Sequence, residues 1–440
     1  MTNQTSIQKI YDLSPMQEGM LYHSLLNENY ESYFVQVSFS VIGDLDVDNF
    51  KNAVQRLVEK HDILRTKFFY QNVSKPKQVV VDLYEVETYF KDLSSLNKEE
   101  QKTNIYKYLK KDRRRKFNLN KDILTRFHII KLSDRRHKII WSFHHILLDG
   151  WSIGIVLKDL LTIYSSINNN TKIDCNDGPA YQKFIEWIHN QNHSEAQSYW
   201  EDYLKGYDNK ASLVVKDDNK EKESVHESIL IKIDSEVTKE IINLGKKFNV
   251  SLNTIIQAAW SILLNKYTNQ NDIVFGAVHS GRTANIIEIE SMVGLFINTV
   301  PTRVSISGNF GDMVNLMQQK AHKSEKYSYY PLYKIQERSI LKSNLFDHIL
   351  VFENYPISQE LNTYSNCNEI KFDELNSFEQ TNYPLTVAIF PHESIDIKFT
   401  YDSNIYDNKY ITNIGENLNR ILEEIIKNPE RSISEINMLT

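Results

Sequence analysis

The sequence predicts a layered α/β (α+β) chain built as two lobes. Three observations carry this. The chain has 440 residues, beyond the ~250–300 at which a single core stops growing. Strand-like and helix-like stretches follow one another, as expected of strands and helices packed in layers. The same pattern restarts after "KDDNKEKES" (216–224), a charged, apolar-free run that reads as an exposed loop.

The first strand is "YFVQVSFSV". Val35, Val37, Phe39 and Val41 alternate with Gln36, Ser38 and Ser40, the period of a half-buried strand. A helix follows over 47–59, with Val47, Phe50, Val54, Leu57 and Val58 on one face. "FHIIKL" (127–132) and "KIIWSF" (138–143) read as strands joined by the polar turn "SDRRH". Ser152 is expected to cap a helix running to about residue 165. A helical block covers 178–204. After the charged run come the strand "SILIKI", a helix capped by Ser235, a helix capped by Ser251 and the strand "DIVFGAV" (272–278). Strands at 348–353, 385–390 and 394–401 and a helix over 407–427 close the chain.

Composition narrows the function classes. Apolar residues make up 41%, enough for cores, and 51 Lys plus Arg against 57 Asp plus Glu leave a net charge of -6. No basic face is implied, so nucleic acid is not an expected partner. The 25 Tyr and 20 Phe suit strands and apolar walls. Cys175 and Cys367 stand far apart with no metal-ligand spacing, which argues against a disulfide framework or a zinc site and for a reducing, cytoplasmic setting. The polar start "MTNQTSIQKIYDLS" has no signal-like core. No apolar run approaches the ~18 residues of a membrane span. There is no short-period repeat and no glycine-rich phosphate loop.

Chemistry concentrates in "WSFHHILLDGWS" (141–152). His145 can take or give a proton near neutral pH, and the bond made by one ring nitrogen decides what the other can do. Gly150 permits a tight turn or a close approach. Asp149 has two readings: it orients a histidine, or it is a buried carboxylate paired with an arginine. No serine or cysteine sits in a nucleophile turn, so proton transfer or positioning fits better than covalent catalysis. Alone, the pattern leaves a structural histidine and a working one both open.

Other segments join it in order. "LSPMQEGMLYH" (13–23), "KHDILRTKF" (60–68) with Arg65 and Thr66, "HHILLDGWS", "YQKFIEW" (181–187), "VGLFINTVPTR" (293–303), "YSYYPLYKIQ" (327–336) and "SNLFDHILVFENYP" (343–356) resemble the seven motifs of the condensation domains of nonribosomal peptide synthetases. These domains belong to the chloramphenicol-acetyltransferase-like acyltransferases, whose signature is HHxxxDG. The second motif here begins Lys60-His61 where the family often has Arg-His. That keeps the charge but not the planar fork. The sixth and seventh segments match loosely, and no catalytic residue is taken from them.

The resemblance implies two acetyltransferase-like lobes set as a V-shaped pseudodimer with a tunnel between them, here residues 1–178 and 179–440. It implies peptide-bond formation. An upstream carrier presents an acyl or peptidyl thioester on a 4'-phosphopantetheine arm, and the α-amine of a downstream carrier-bound aminoacyl thioester attacks it. The chain itself is then expected to bind no cofactor and no metal. Its partners are the two peptidyl carrier domains and a neighbouring adenylation domain, with no membrane, and the chain is expected to be a monomer. It holds no adenylation signature and no carrier serine motif, so it is expected to be an excised domain or a fragment of a longer synthetase. His145, matching the second histidine of the motif, is the expected catalytic residue, as general base or by positioning the amine. His144 is expected to brace it, and the Gly150 amide is a candidate oxyanion donor. Asp149 is expected to form a structural salt bridge with Arg65. Ser14, Gln17 and Asn298 are candidates to line the tunnel, with a turn or cap role equally open.

Competing readings separate on residues. Epimerization domains typically continue Asp-Gly-x-Ser-Trp, whereas here Trp151 precedes Ser152. Heterocyclization domains replace the histidine pair, which is kept here. Non-catalytic recruitment domains of the same fold usually carry a damaged motif. A free-standing acetyltransferase using coenzyme A is disfavoured by the length and the seven segments.

Overall fold

The computed structural model describes residues 6–26, 33–82, 84–172, 178–215, 225–354 and 370–438. Cys175, Cys367, the 216–224 run and the last two residues of "SNLFDHILVFENYP" lie outside them.

In chain order the first elements are β1 (Ile7–Asp12), α1 (Pro15–Leu26), β2 (Phe34–Ile42), α2 (Val47–Lys60), β3 (Thr66–Phe69), β4 (Lys77–Val81), β5 (Glu87–Asp92), α3 (Lys98–Arg114), β6 (Thr125–Ser133), β7 (Arg136–His144), α4 (Gly150–Asn168) and α5 (Gln182–His189). Then come α6 (His193–Tyr203), β8 (His226–Ile233), α7 (Ser235–Phe248), α8 (Leu252–Thr268), β9 (Asp272–His279), β10 (Asn298–Ser305), α9 (Phe310–Glu325), α10 (Leu332–Arg338), β11 (His348–Phe352), β12 (Lys371–Phe378), β13 (Leu385–Pro391), β14 (Ile395–Asp402) and α11 (Asn408–Lys427).

Packing divides these into two compact units. The first gathers Met1–Gln191, Arg282–Phe296 and Tyr355–Thr381, and the second holds the rest. The division is therefore not one cut near residue 178. The chain changes unit after residue 191, and two later stretches return to the first unit.

The first unit holds a five-stranded sheet in the order β12-β2-β7-β6-β5 and a small sheet β1-β4-β3. β7 is its central strand, antiparallel to both β2 and β6. It is buried along nearly its whole length, which explains why "KIIWSF" reads as a continuous apolar run. Its buried Trp141 still satisfies its one donor, since Nε1 donates to Thr125 Oγ1 at 2.8 Å. β12 enters this sheet from far along the chain and pairs antiparallel with β2, with a register shift between Asp373 and Asn376.

The second unit is built on a six-stranded sheet, β10-β9-β11-β13-β14-β8. Its core is formed by Ile255, Ala259, Trp260 and Leu263 of α8, Ile414, Leu418 and Ile421 of α11, and Phe275, Val387 and Phe399 of the strands.

Two helix starts differ from expectation. α4 is capped by Asp149, whose side chain accepts from the Ser152 amide, and not by Ser152. α7 is capped by Asp234, with Ser235 already inside the helix. In both, a carboxylate just ahead of the first helical residue satisfies a free amide and faces the positive helix end. Ser251 caps α8 as expected.

Candidate active site

β7 ends on His144, and the chain then turns through Ile146, Leu147 and Leu148 into α4. All three apolar residues are fully buried, so the turn has little freedom. The His144 amide donates to Leu124 O at 3.0 Å and the His145 amide to Tyr33 O at 2.7 Å. Tyr33 takes a left-handed backbone, φ 65°, uncommon for a residue with a large side chain. Its own amide donates to Gln380 O at 2.9 Å. One residue thus ties the histidine loop to the segment after β12.

The two histidines are electrically distinct. His144 Nδ1 lies 3.1 Å from the amide of Ile146. An amide only donates, so that nitrogen is bare. The ring's proton sits on Nε2, 3.5 Å from Ser24 Oγ. Burial, with the neighbouring His145 adding to it, pushes its pKa down to about 3. His144 is therefore neutral.

His145 Nε2 is 2.9 Å from Glu379 Oε1. Its Nδ1 is buried and makes no hydrogen bond. Burial drives the imidazole pKa down, but the charge and hydrogen bond of Glu379 outweigh it and take it up to about 9. The imidazole side chain is 9% accessible and the carboxylate 38%, so this charge pair has one face open to an incoming group.

Asp149 pairs with Arg282, not with Arg65. Arg282 Nη2 is 3.3 Å from Asp149 Oδ1, and both side chains are nearly inaccessible. The Ser152 amide donates to Oδ1 at 2.9 Å and the Phe296 amide to Oδ2 at 3.0 Å. Arg65 is spent elsewhere, on Asp62, on Gln8 and on Val81 O at 3.0 Å. The reason is local: Asp62 lies three residues earlier in the same short turn, so Arg65 finds a carboxylate without crossing the fold.

Arg282 also donates to the carbonyls of Ile289 at 2.6 Å and Met292 at 3.1 Å. Its guanidinium lies 4.1 Å above the Phe296 ring. Ser152 Oγ accepts from Arg282 Nη2 at 2.9 Å and from the Gly294 amide at 3.1 Å, and donates to Gly294 O at 2.8 Å. The 282–296 stretch is thereby clasped to the start of α4. Gly294 packs flat on Tyr181, where a Cβ would overlap the ring. The Tyr181 hydroxyl donates to Leu295 O.

Gly150 is the first residue of α4. Its amide is one of the donors left without a partner within the helix, at the positive end of the helix dipole.

Ser14 and Gln17 make a reciprocal capping box at the start of α1. Gln17 Oε1 accepts from the Ser14 amide at 2.8 Å, and Ser14 Oγ accepts from the Gln17 amide at 3.2 Å. Gln17 Nε2 also donates to Ile146 O at 3.1 Å, so the first motif holds the loop just past His145. Asn298 Nδ2 donates to Ser328 O at 2.7 Å and Tyr330 O at 2.9 Å. All three residues are buried, and the side-chain atoms just named are committed to protein partners.

Sequence reasoning missed Arg282 and Glu379. Arg282 follows the strand "DIVFGAVH" in a Ser-Gly-Arg step, a buried-arginine candidate just before the fifth motif. Glu379 carries no spacing signal.

Among the described residues no cluster of three His, Cys, Asp or Glu side chains is placed to hold a metal ion. No helix among them is long and apolar enough to cross a membrane.

The layered α/β fold and the histidine loop define a class, the chloramphenicol-acetyltransferase-like fold. The chain belongs to the condensation domain family, whose model matches residues 7–440. It is 41% identical over 445 residues to a plipastatin synthase of Bacillus subtilis (strain 168), covering all of this chain and 12% of that protein. It is 37% identical over 438 residues to tyrocidine synthase 2 of Brevibacillus parabrevis, covering 99% and 12%. The chain therefore spans about an eighth of the length of these synthetases. Among solved structures, the X-domain from teicoplanin biosynthesis matches with a TM-score of 0.82 at 18% identity, over 99% of each chain. The first condensation domain of the calcium-dependent antibiotic synthetase matches at 0.79 and 15%, over 98% of this chain and all of that one.

Proposed function

We propose that this domain catalyses amide-bond formation between two carrier-bound thioesters. The donor is an acyl or peptidyl thioester on an upstream carrier. The nucleophile is the α-amine of an aminoacyl thioester on a downstream carrier. The nitrogen attacks the donor carbonyl, a C–N bond forms and the C–S bond breaks. The amine gives up a proton and the departing thiolate takes one. The phosphopantetheine arms belong to the carriers, and a neighbouring adenylation domain loads them.

The observation that carries this reading is the division of labour in the histidine pair. His144 is neutral, with Nδ1 occupied by the Ile146 amide. His145 alone presents Nε2 beside a partly open carboxylate. A thioester is already activated, so the site has to hold the reactants together and manage one proton and one oxyanion. Holding two reactants in register supplies several kcal/mol, proton management about 10²–10⁴-fold. The Gly150 amide, at the positive start of α4, is suited to the oxyanion.

The fold alone does not select this role, since an X-domain of the same fold occurs in a complex with OxyB. The test uses carrier domains loaded with a panel of aminoacyl groups, with mass spectrometry of the carrier-bound product. Dipeptidyl product is expected, and His145→Ala should lower its rate about 100-fold or more with the circular dichroism unchanged. Full turnover by that variant would remove His145 from the chemistry. Inverted stereochemistry of one carrier-bound residue without amide formation would indicate epimerization. Carrier binding with no product would indicate a recruitment domain.

A further inference from the structure

We propose that Glu379 is a positioning residue for this site: its carboxylate accepts the Nε2–H of His145, sets the ring's orientation and keeps the imidazole protonated. The proposal rests on the condensation reading for its chemistry, but its geometry stands by itself.

Three features of the first unit converge on it. The carboxylate lies 2.9 Å from Nε2, whereas Nδ1 is buried without a hydrogen bond. The backbone beside Glu379 is tied to the histidine loop. Gln380 O accepts from the Tyr33 amide at 2.9 Å, and Tyr33 O accepts from the His145 amide at 2.7 Å. The carboxylate is also more open than the imidazole it holds, so a group arriving at His145 meets Glu379 as well.

The other charges around the ring do not duplicate this one. Asp149, at the start of α4, also favours the imidazolium, but its own charge is matched by Arg282 from the 282–296 stretch. His144, at the end of β7, is neutral. Glu379 is therefore the carboxylate that faces His145 directly.

The chemistry asks for such a partner. A free α-amine reaches the site largely as an ammonium, with a pKa of about 7.7–8.0. An ordinary imidazole, at about 6.5, holds a proton less firmly than that ammonium does. With Glu379 alongside, the imidazole rises to about 9, above the amine, so the pair stands as imidazolium and carboxylate with the Nε2–H donated to Glu379. In the step itself the neutral fraction of the amine attacks and the C–N bond forms. As the C–S bond breaks, the imidazolium gives a proton to the departing thiolate and takes up the N–H proton that the new amide sheds. Glu379 stays ionised and holds the ring in place throughout.

The test reads His145 directly. Histidine labelled with 13C at Cε1 is titrated by NMR in the whole chain, and the His145 signal is assigned by its loss in His145→Gln. In Glu379→Gln the midpoint should fall from about 9 toward about 6.5, and Glu379→Asp should recover part of the difference. The pH–rate profile of amide formation should show the same displacement of its descending limb. Near-UV circular dichroism confirms that the variants fold. An unmoved midpoint in Glu379→Gln overturns the proposal. A midpoint that falls, in a domain that makes no amide with any carrier pair, keeps Glu379 as the partner of His145 and removes the assigned reaction instead.

Discussion

Asp149 and Arg282 stand 133 residues apart in sequence and 3.3 Å apart in the fold, both nearly inaccessible. Their ion pair is one part of a hydrogen-bonded cluster that includes the amides of Ser152 and Phe296. Removing one partner strands the other charge in the interior. Arg282→Ala is expected to cost about 3–5 kcal/mol, read as a lowered Tm, while Arg65→Ala leaves Asp149 undisturbed. A double-mutant cycle is the check. Arg282→Ala and Asp149→Asn should couple strongly, and Arg65→Ala and Asp149→Asn should add. Additive behaviour of the first pair would show that the cluster is held by its backbone contacts.

The clasp on the 282–296 stretch also has a steric requirement. Gly294 has no Cβ, and the Tyr181 ring fills that space. Tyr181 is pinned by its hydroxyl on Leu295 O and by Phe296 edge-on at 5.2 Å, so it cannot yield cheaply. Gly294→Ala should destabilise by about 1–3 kcal/mol through overpacking. Pairing it with Tyr181→Leu should recover part of the loss. Hydrogen exchange of the 293–296 amides, faster in the single variant, locates the effect.

Gln17 links two motifs through one side chain. Its carbonyl completes the capping box of α1, and its amide nitrogen reaches Ile146 O beyond His145. Gln17→Glu keeps an acceptor for the box but turns a carboxylate toward a carbonyl that needs a donor. The loss should be about 1–3 kcal/mol, with amide formation slowed. Gln17→Ala loses both contacts and should unfold at lower denaturant still. Equal stability of wild type and Gln17→Glu would mean that the Ile146 carbonyl is satisfied by other means.

The sequence was legible where burial imposes a pattern: β2 and β7 are strands, and α2 buries Phe50, Val54, Leu57 and Val58 on one face. The half-buried reading of β2 does not hold, because Gln36, Ser38 and Ser40 are buried as well. The sequence was not legible for β12, where "KFDELNSF" carries mostly exposed residues and Glu374 takes a left-handed backbone, φ 53°. Ladder hydrogen bonds to β2 make that strand, and they leave no mark on side-chain pattern. The histidine loop was legible because its residues are contiguous. Its partners were not, because Arg282 and Glu379 arrive from distant segments and an ion pair has no sequence period. The Arg65 expectation failed for a related reason: a conspicuous arginine was matched to a conspicuous aspartate, when Asp62 stood three residues away.

The two histidines should shape stability against pH in opposite directions. His144 is held near 3 in the fold against about 6.5 unfolded. The unfolded chain therefore takes up a proton first as pH falls, and stability declines from about pH 6.5 toward pH 3. His279, lowered to about 4 by burial, adds to the same slope. His145 is raised to about 9, so its contribution is complete below about pH 6.5 and is lost as pH rises through 9. Melting curves from pH 4 to 10 should then fall at both ends. His144→Gln should flatten the acid side and leave the alkaline side alone, whereas Glu379→Gln should flatten the alkaline side. If His144→Gln changed neither slope, His144 would have to be charged in the fold, and the bond from the Ile146 amide to its Nδ1 could not stand.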